Sequence, residues 1–366
     1  SYSVTGVQTC ALPISLWLSG GVRVIVEYSN RVIARGHRVT LVIPGGTLDP
    51  ALEGELDAKL EIRQSDVLCQ PGRSLWENAR LSWSLAKNVP YSDVVISTHT
   101  PTTVAGFLAA YILRRGKLVW LYQDYREMFE GRLVEDWLLR NALHWHKCAL
   151  VVSDYSRQEL SSYSPGDIRI VGEGISHSEI FKPSSLWPCS KGDSDKVILF
   201  LGDMRPRKGL FDFLAAAKMV YTNVKNVKLL IVSKEHCDIP DTGQVPFEYI
   251  YRPSRLELAK LYATCDLFVS ASWHESFGLP PLEAMACGAP VVLTDSGGVR
   301  EYARHEENCL MVSPHDPEAL AAAMICVLTN SVLAKRLRMN GPPTAACFTW
   351  DRSVDRFEAA LLACLK

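Results

Sequence analysis

From Gly20 onward, short runs of consecutive apolar residues alternate with stretches in which apolar residues recur every three or four positions. The runs His37–Ile43 (HRVTLVI), Asp93–Ser97 (DVVIS), Lys117–Tyr122 (KLVWLY) and Ala149–Ser153 (ALVVS) predict buried strands. Gly20-Gly21 opens a predicted helix over Val22–Arg35, with Gly36 placed to close it in the left-handed conformation. The stretch Phe181–Asp195 (FKPSSLWPCSKGDSD) breaks the pattern and reads as a linker. A second series follows: Lys196–Leu201, Val227–Val232, Phe247–Tyr251, Asp266–Ser270 and Pro290–Leu293 are predicted strands, again separated by helical stretches. The last segment, Trp350–Leu365, puts Val354, Phe357, Ala360 and Leu361 on one helical face. Strands alternating with helices imply βαβ units and parallel sheets. The expected fold is therefore α/β, with two doubly wound, Rossmann-like domains facing each other across a ligand cleft at the carboxyl ends of their strands. The expected divisions are 15–178, 179–345 and a C-terminal helix, 346–366, packing back toward the N-terminal domain.

The first residues fit this pattern poorly. Val4–Ile14 resembles the conceptual translation of a short-read sequencing adapter and lacks the basic start and long apolar core of a signal peptide. Residues 1–14 are accordingly expected to be a non-native assembly artefact fused to a truncated gene, with native sequence starting near Ser15. The central strand that usually opens such a domain would then be missing or built from foreign residues, and Pro13 is ill suited to one.

Length and charge narrow the function classes. The 366 residues suit two domains, each large enough for its own core. No apolar run approaches the roughly 18 residues of a membrane-spanning helix. Lys plus Arg number 39 and Asp plus Glu 40, with 18 of each sign through Gly174, so there is no basic footprint for nucleic acid. Eleven cysteines, an odd number without a CxxC pair, read as reduced thiols; Cys265 and Cys287 lie inside apolar runs. A cytoplasmic location is the expectation.

The stretch His274–Pro290 (HESFGLPPLEAMACGAP) carries the most chemistry. A predicted strand runs into a loop, and Pro280-Pro281 fall where a helix's first turn leaves N–H groups without partners. The amides of Phe277, Gly278 and Leu279 would then face outward at a helix N-terminus, a natural site for a diphosphate. Glu275 falls on the loop, and Glu283, eight residues later, in the expected first turn. A carboxylate can accept hydrogen bonds from both hydroxyls of a ribose, or from those of a sugar. Anion, ribose and polyol together suggest a nucleotide sugar.

This segment resembles the E-x7-E signature of family-4 glycosyltransferases, which have the GT-B fold. Thr294–Glu301 (TDSGGVRE), Phe200–Gly209 (FLGDMRPRKG), Val151–Leu160, Val171–Ser176 and Ser19–Arg23 resemble further segments of that family. The resemblance runs from about Ser15 to the C-terminus. It implies that Glu275 touches the transferred sugar and Glu283 the ribose, and that the amides of Phe277, Gly278 and Leu279 bind the donor. Gly21 would approach the donor from the facing domain, and Lys208 would hold the diphosphate. It also implies a retaining reaction, with same-face attack and a leaving phosphate that helps deprotonate the acceptor. Partners would be a nucleoside-diphosphate sugar and a carbohydrate or glycolipid acceptor, with peripheral contact at the inner face of a membrane; the neutral N-terminal half gives that contact little support.

Two departures stand out. Asp203 occupies the place of the family's usual phosphate arginine, leaving Arg205, or else Arg207, to supply the charge. Gln123-Asp124-Tyr125 replaces the histidine common at the end of the Lys117–Tyr122 strand; Gln123 or Asp124 could orient an acceptor hydroxyl, Asp124 could take its proton, and His99 is a further candidate. No metal or other cofactor is expected. Asp193-Ser-Asp195 spells DxD but lies in the linker, and His144 and His146 would point to different sides of a helix. A GT-B-like epimerase or phosphorylase, and a nucleotide-sugar-binding subunit without catalysis, remain as alternatives.

Overall fold

The computed structural model of the chain describes residues 6–17, 19–68, 74–163, 165–183, 196–236 and 238–366. The linker aspartates Asp193 and Asp195 lie outside the described residues. The chain divides into two units, Ser1–Glu173 with Trp350–Lys366, and Gly174–Thr349.

The first unit is built on strands β1 (Gln8–Leu12), β2 (Arg38–Gly45), β3 (Glu61–Leu68), β4 (Val94–Ser97), β5 (Lys117–Tyr122), β6 (Ala149–Val151) and β7 (Ile168–Ile170). They form one parallel sheet in the order β3-β2-β1-β4-β5-β6-β7. The order reverses between β1 and β4, and there the loops leaving the two strands diverge and open a crevice. The opening strand is not missing, and it is built from residues of the adapter-like stretch: Gln8–Leu12 lies at the sheet's centre, with Cys10 and Leu12 fully buried. Pro13 falls just past its end. Ser19 caps the helix Gly20–Ala34 by accepting from the Val22 amide at 3.3 Å, and Gly36, at φ +92°, follows its last residues.

The amphipathic helix Trp350–Leu365 belongs to this unit and buries the four residues its periodicity put on one face. The Phe357 ring stacks on Tyr28 of the Gly20–Ala34 helix with centroids 4.4 Å apart. Beside it, Glu358 takes hydrogen bonds from Arg35 and His37, both at 2.7 Å.

The second unit holds β8 (Lys196–Leu201), β9 (Val227–Ser233), β10 (Phe247–Tyr251), β11 (Leu267–Ser270), β12 (Val291–Thr294) and β13 (Leu310–Val312). These are parallel in the order β10-β9-β8-β11-β12-β13, with the reversal between β8 and β11. Its core gathers Ile198, Phe200, Phe213, Ile231, Val269 and Met324, with Phe200 and Phe213 stacked at 4.4 Å. Cys265 and Cys287 are buried free thiols, as their apolar surroundings predict. Among the described residues no single helix is long and apolar enough to cross a membrane.

The Phe357→Ala substitution removes the ring that anchors the C-terminal helix. It should destabilise the protein by about 3–5 kcal/mol, the range for a large aromatic deleted from a core, seen as a lower denaturant midpoint at unchanged slope.

Candidate functional site

In the second unit, the two loops that leave the sheet at its reversal point are joined residue by residue. The loop after β8 ends in the short 3-10 turn Pro206–Lys208 and Gly209. The Arg207 carbonyl accepts from the Trp273 amide at 2.8 Å, which ties this turn to the loop after β11. Gly209 sits at φ +65°, and a Cβ there would meet the Ala271 carbonyl oxygen at 1.9 Å, so only glycine fits.

This stitching brings together two of the residues singled out in the sequence. Lys208 Nζ lies 2.6 Å from Glu275 Oε1, and both side chains are largely buried. The Glu275 backbone is held from the other side: its amide donates to Ser296 and its carbonyl accepts from Gly298, each at 2.9 Å. Burial alone would raise the Glu275 carboxyl, but the charges of Lys208 and Arg207, with hydrogen bonds from Lys208 and Ser272, hold it below the ordinary glutamate value. Asp203 is buried and chelated by Arg205, with Nε at 2.7 Å and Nη2 at 2.5 Å. Burial pushes the Asp203 carboxyl up, and this bidentate partner more than reverses the effect.

The helix Leu279–Ala286 begins immediately beyond this pair, with Gly278 as its cap at φ +86°. A Cβ on Gly278 would come within 2.9 Å of Val299, and its carbonyl accepts from the Tyr302 hydroxyl. Because Pro280 and Pro281 have no N–H, Leu279 is the one residue among the first three of the helix that can offer an amide. The Phe277 ring is buried against Tyr302 and Phe348, so only its backbone remains for a ligand.

Glu283 falls one turn later than the sequence pattern places it: the helix starts at Leu279, and Glu283 is its fifth residue. Its carboxylate is buried, taking Arg255 Nη1 at 3.2 Å and the Tyr262 hydroxyl at 3.5 Å. Arg255 comes from the helix Arg255–Thr264 and its guanidinium also lies over the Phe181 ring, 5.6 Å from the centroid. Sequence reasoning missed Arg255 and Tyr262. The Ser254–Glu257 capping pair marks that helix start, but no local signal points its first residue at Glu283.

In the first unit, the carboxyl ends of β1, β4 and β5 assemble a second set of the predicted residues. The Thr98 hydroxyl donates to the Leu12 carbonyl at 3.1 Å, joining the ends of β4 and β1. Asp124, just after β5, is fully buried, with Oδ1 2.5 Å from His99 Nδ1 and Oδ2 accepting from the Thr100 amide and hydroxyl at 2.6 and 2.7 Å. Burial opposes ionisation of Asp124, but His99 and Thr100 together hold its carboxyl below the ordinary value. Burial lowers the His99 value and the Asp124 charge more than restores it, leaving it above the ordinary one. Gly21 lies beside Gln123; a Cβ at that position would stand 3.3 Å from Gln123 Oε1. Of the histidine pair, His146 is buried and bonded to the Ala142 carbonyl, whereas His144 is exposed beyond it. Among the described residues no three His, Cys, Asp or Glu side chains are grouped to hold a metal ion.

Because the Glu275 carboxyl is depressed on folding, its stabilising contribution is complete above the unfolded value near 4.5 and is lost as pH falls through the lower folded value. The Glu275→Gln variant should therefore lose less thermal stability than the wild type as pH falls from about 5 to about 3. Parallel melting curves over that interval would contradict this account.

Known proteins extend the picture. A Glycosyltransferase Family 4 model matches residues 18–179, and a model of group 1 glycosyl transferases matches residues 195–330. The D-inositol 3-phosphate glycosyltransferase of Rhodococcus erythropolis is 32% identical over 175 residues, 43% of this chain and 39% of its own length. The chain spans about two fifths of the length of the curated relatives it matches. Sucrose-phosphate synthase from Thermosynechococcus elongatus superposes with a TM-score of 0.82 at 18% identity, covering 96% of this chain and 98% of its own. HepE of Anabaena, solved in complex with UDP and glucose, superposes with a TM-score of 0.81 at 18% identity, covering 98% and 100%. With one unit matched by each family model and both sheets wound as in these structures, the chain belongs to the family-4, group 1 glycosyltransferases of GT-B fold.

Proposed function

We propose that this protein is a retaining, metal-independent glycosyltransferase that moves a sugar from a nucleoside-diphosphate sugar to a hydroxyl of a carbohydrate or glycolipid acceptor. The observation that carries this reading is the Lys208–Glu275 pair at the β8/β11 reversal, beside the N-terminus of the Leu279–Ala286 helix. There Lys208 has three donors, so it can keep Glu275 and still reach a diphosphate oxygen. Backbone amides of Phe277, Gly278 and Leu279 add the positive end of a helix, and Arg205, held by Asp203, adds a guanidinium nearby in sequence. Glu275 is kept ionised by Lys208 and would accept from sugar hydroxyls. Arg255 and Tyr262 hold Glu283 in place, and Glu283 would accept from the ribose.

The chemistry needs stabilisation of a departing diphosphate more than it needs a covalent nucleophile. As the bond from the anomeric carbon to phosphate breaks, negative charge grows on the phosphate oxygens, which Lys208 and the amides would stabilise. The Anabaena structure with UDP and glucose supports a UDP-sugar donor, and the inositol phosphate relatives support a polyol acceptor. One observation favours a second reading, a binding subunit without turnover: Asp203 stands where an arginine would add charge, and it neutralises Arg205.

In a UDP-sugar hydrolysis and transfer assay, Glu275→Ala and Lys208→Ala should each lower turnover by about 10²–10³-fold, the usual cost of losing one transition-state contact. Wild-type rates in both variants would defeat the proposal. Calorimetric binding of a UDP-sugar with no turnover on any acceptor would favour the binding subunit.

A further inference from the structure

We propose that His99 is the acceptor-side contact of the first unit, accepting a hydrogen bond at Nε2 from a hydroxyl of the polyol acceptor other than the one that is to be glycosylated, and that Asp124 is the positioning residue that fixes its ring and tautomer. The proposal rests on the glycosyltransferase reading above. It reassigns the acceptor contact from Asp124, whose two oxygens are already committed within the fold.

The geometry is specific. A buried carboxylate is costly unless charged or hydrogen-bonding groups surround it. Asp124 is fully buried and gives Oδ2 to the amide and hydroxyl of Thr100 and Oδ1 to His99 Nδ1, so it is screened from any incoming hydroxyl. What it can do is choose the proton position on its neighbour. A carboxylate accepts only, so Nδ1 must carry the hydrogen, and in the neutral ring Nε2 is left with its lone pair free to accept. The two nitrogens lie on opposite edges of the ring, which places Nε2 away from the buried carboxylate. The His99 side chain retains 19% of its exposure, whereas that of Asp124 retains none.

The backbone under the ring is equally fixed. Thr102 Oγ1 accepts from the amides of Thr98 and His99, both at 3.2 Å, and donates to the His99 carbonyl at 2.8 Å. The ring is thus held from its carboxylate side and from its main chain, the preorganisation a hydroxyl-orienting group requires. The location agrees with the role: His99 follows β4 at the point where the first sheet reverses, the place where open parallel sheets take their ligands. A tie meant only to join two loops would be served by neutral side chains, without the cost of burying a charge.

Long-range proton–nitrogen NMR of the full chain reads the tautomer without turnover, with the ring assigned through the loss of its signals in His99→Ala. At a pH above the ring's own transition, which Asp124 raises above the ordinary histidine value and which the same spectra follow, the ring should carry its hydrogen on Nδ1 alone. Its Nε2 resonance should shift when inositol, inositol 3-phosphate or methyl glucoside is added with UDP present. In Asp124→Asn the amide can donate to Nδ1, so the hydrogen should move to Nε2. With UDP-glucose as donor, His99→Ala and Asp124→Asn should each cut transfer to the same polyols by about 10²–10⁴-fold. The calorimetric Kd for UDP-glucose should stay within about threefold in both variants. His99→Gln, whose side-chain oxygen can accept in place of Nε2, should recover part of the transfer lost in His99→Ala. A hydrogen found on Nε2 of the neutral wild-type ring, an Nε2 signal unmoved by all three polyols, or a UDP-glucose Kd weakened in step with transfer would each overturn the assignment. Failure of the wild type to bind or consume UDP-glucose would instead count against the donor reading, and the NMR result would still decide the role of His99.

Discussion

A carboxylate can be buried only where opposite charge and hydrogen-bond donors replace the water it loses. Glu275 meets that condition through Lys208 at 2.6 Å, and this single contact requires most of the local architecture to be as it is. Lys208 reaches Glu275 because the loops after β8 and β11 leave adjacent strands at the reversal of sheet order. They stay in register because Gly209 lets one backbone press against the other, and because the Trp273 amide bonds the Arg207 carbonyl. The Glu275 main chain is fixed in turn by Ser296 and Gly298, so three loop segments converge on one acidic side chain.

The same solution recurs at Glu283 and at Asp124, with different partners. Glu283 is neutralised by Arg255 and hydrogen-bonded by Tyr262, whereas Asp124 is satisfied by the Thr100 amide and hydroxyl and by His99. Each of these carboxylates lies near the carboxyl end of a parallel sheet, where strand-to-helix loops supply amides and side chains together. Asp203 adds a fourth case and changes the meaning of a departure from the family pattern. An acidic residue where arginine is usual does not simply remove positive charge; it clamps Arg205 by two of its nitrogens.

Much of the fold was legible because central parallel strands are buried on both faces. The sequences of the interior strands β5 and β8 coincide with the predicted runs Lys117–Tyr122 and Lys196–Leu201, the edge strand β10 with Phe247–Tyr251, and the helix Trp350–Leu365 has the predicted bounds. What escaped notice lies at the margins. β3 reads EIRQSDVL and is largely exposed along an edge, and β7 and β13 have three residues each, too short for any period to show. β1 was set aside for a different reason, because its five residues, QTCAL, fall within the stretch Val4–Ile14 that resembles a translated adapter, although the sheet buries them.

The sequence by itself determined that two parallel α/β halves would form and singled out Glu275, Glu283 and Gly278, because strand burial and helix starts are written in local patterns; Lys208 was singled out by resemblance to the family's diphosphate lysine. Only the tertiary structure decided their partners. That Arg255 holds Glu283, that Lys208 pairs with Glu275, and that Asp124 turns inward to His99 and not outward to a ligand all depend on distant segments brought together by the packing of the sheets. The distances along the chain give no trace of those meetings, since a charge pair is chosen by which strands are neighbours in space, and that choice is made by the whole sheet at once.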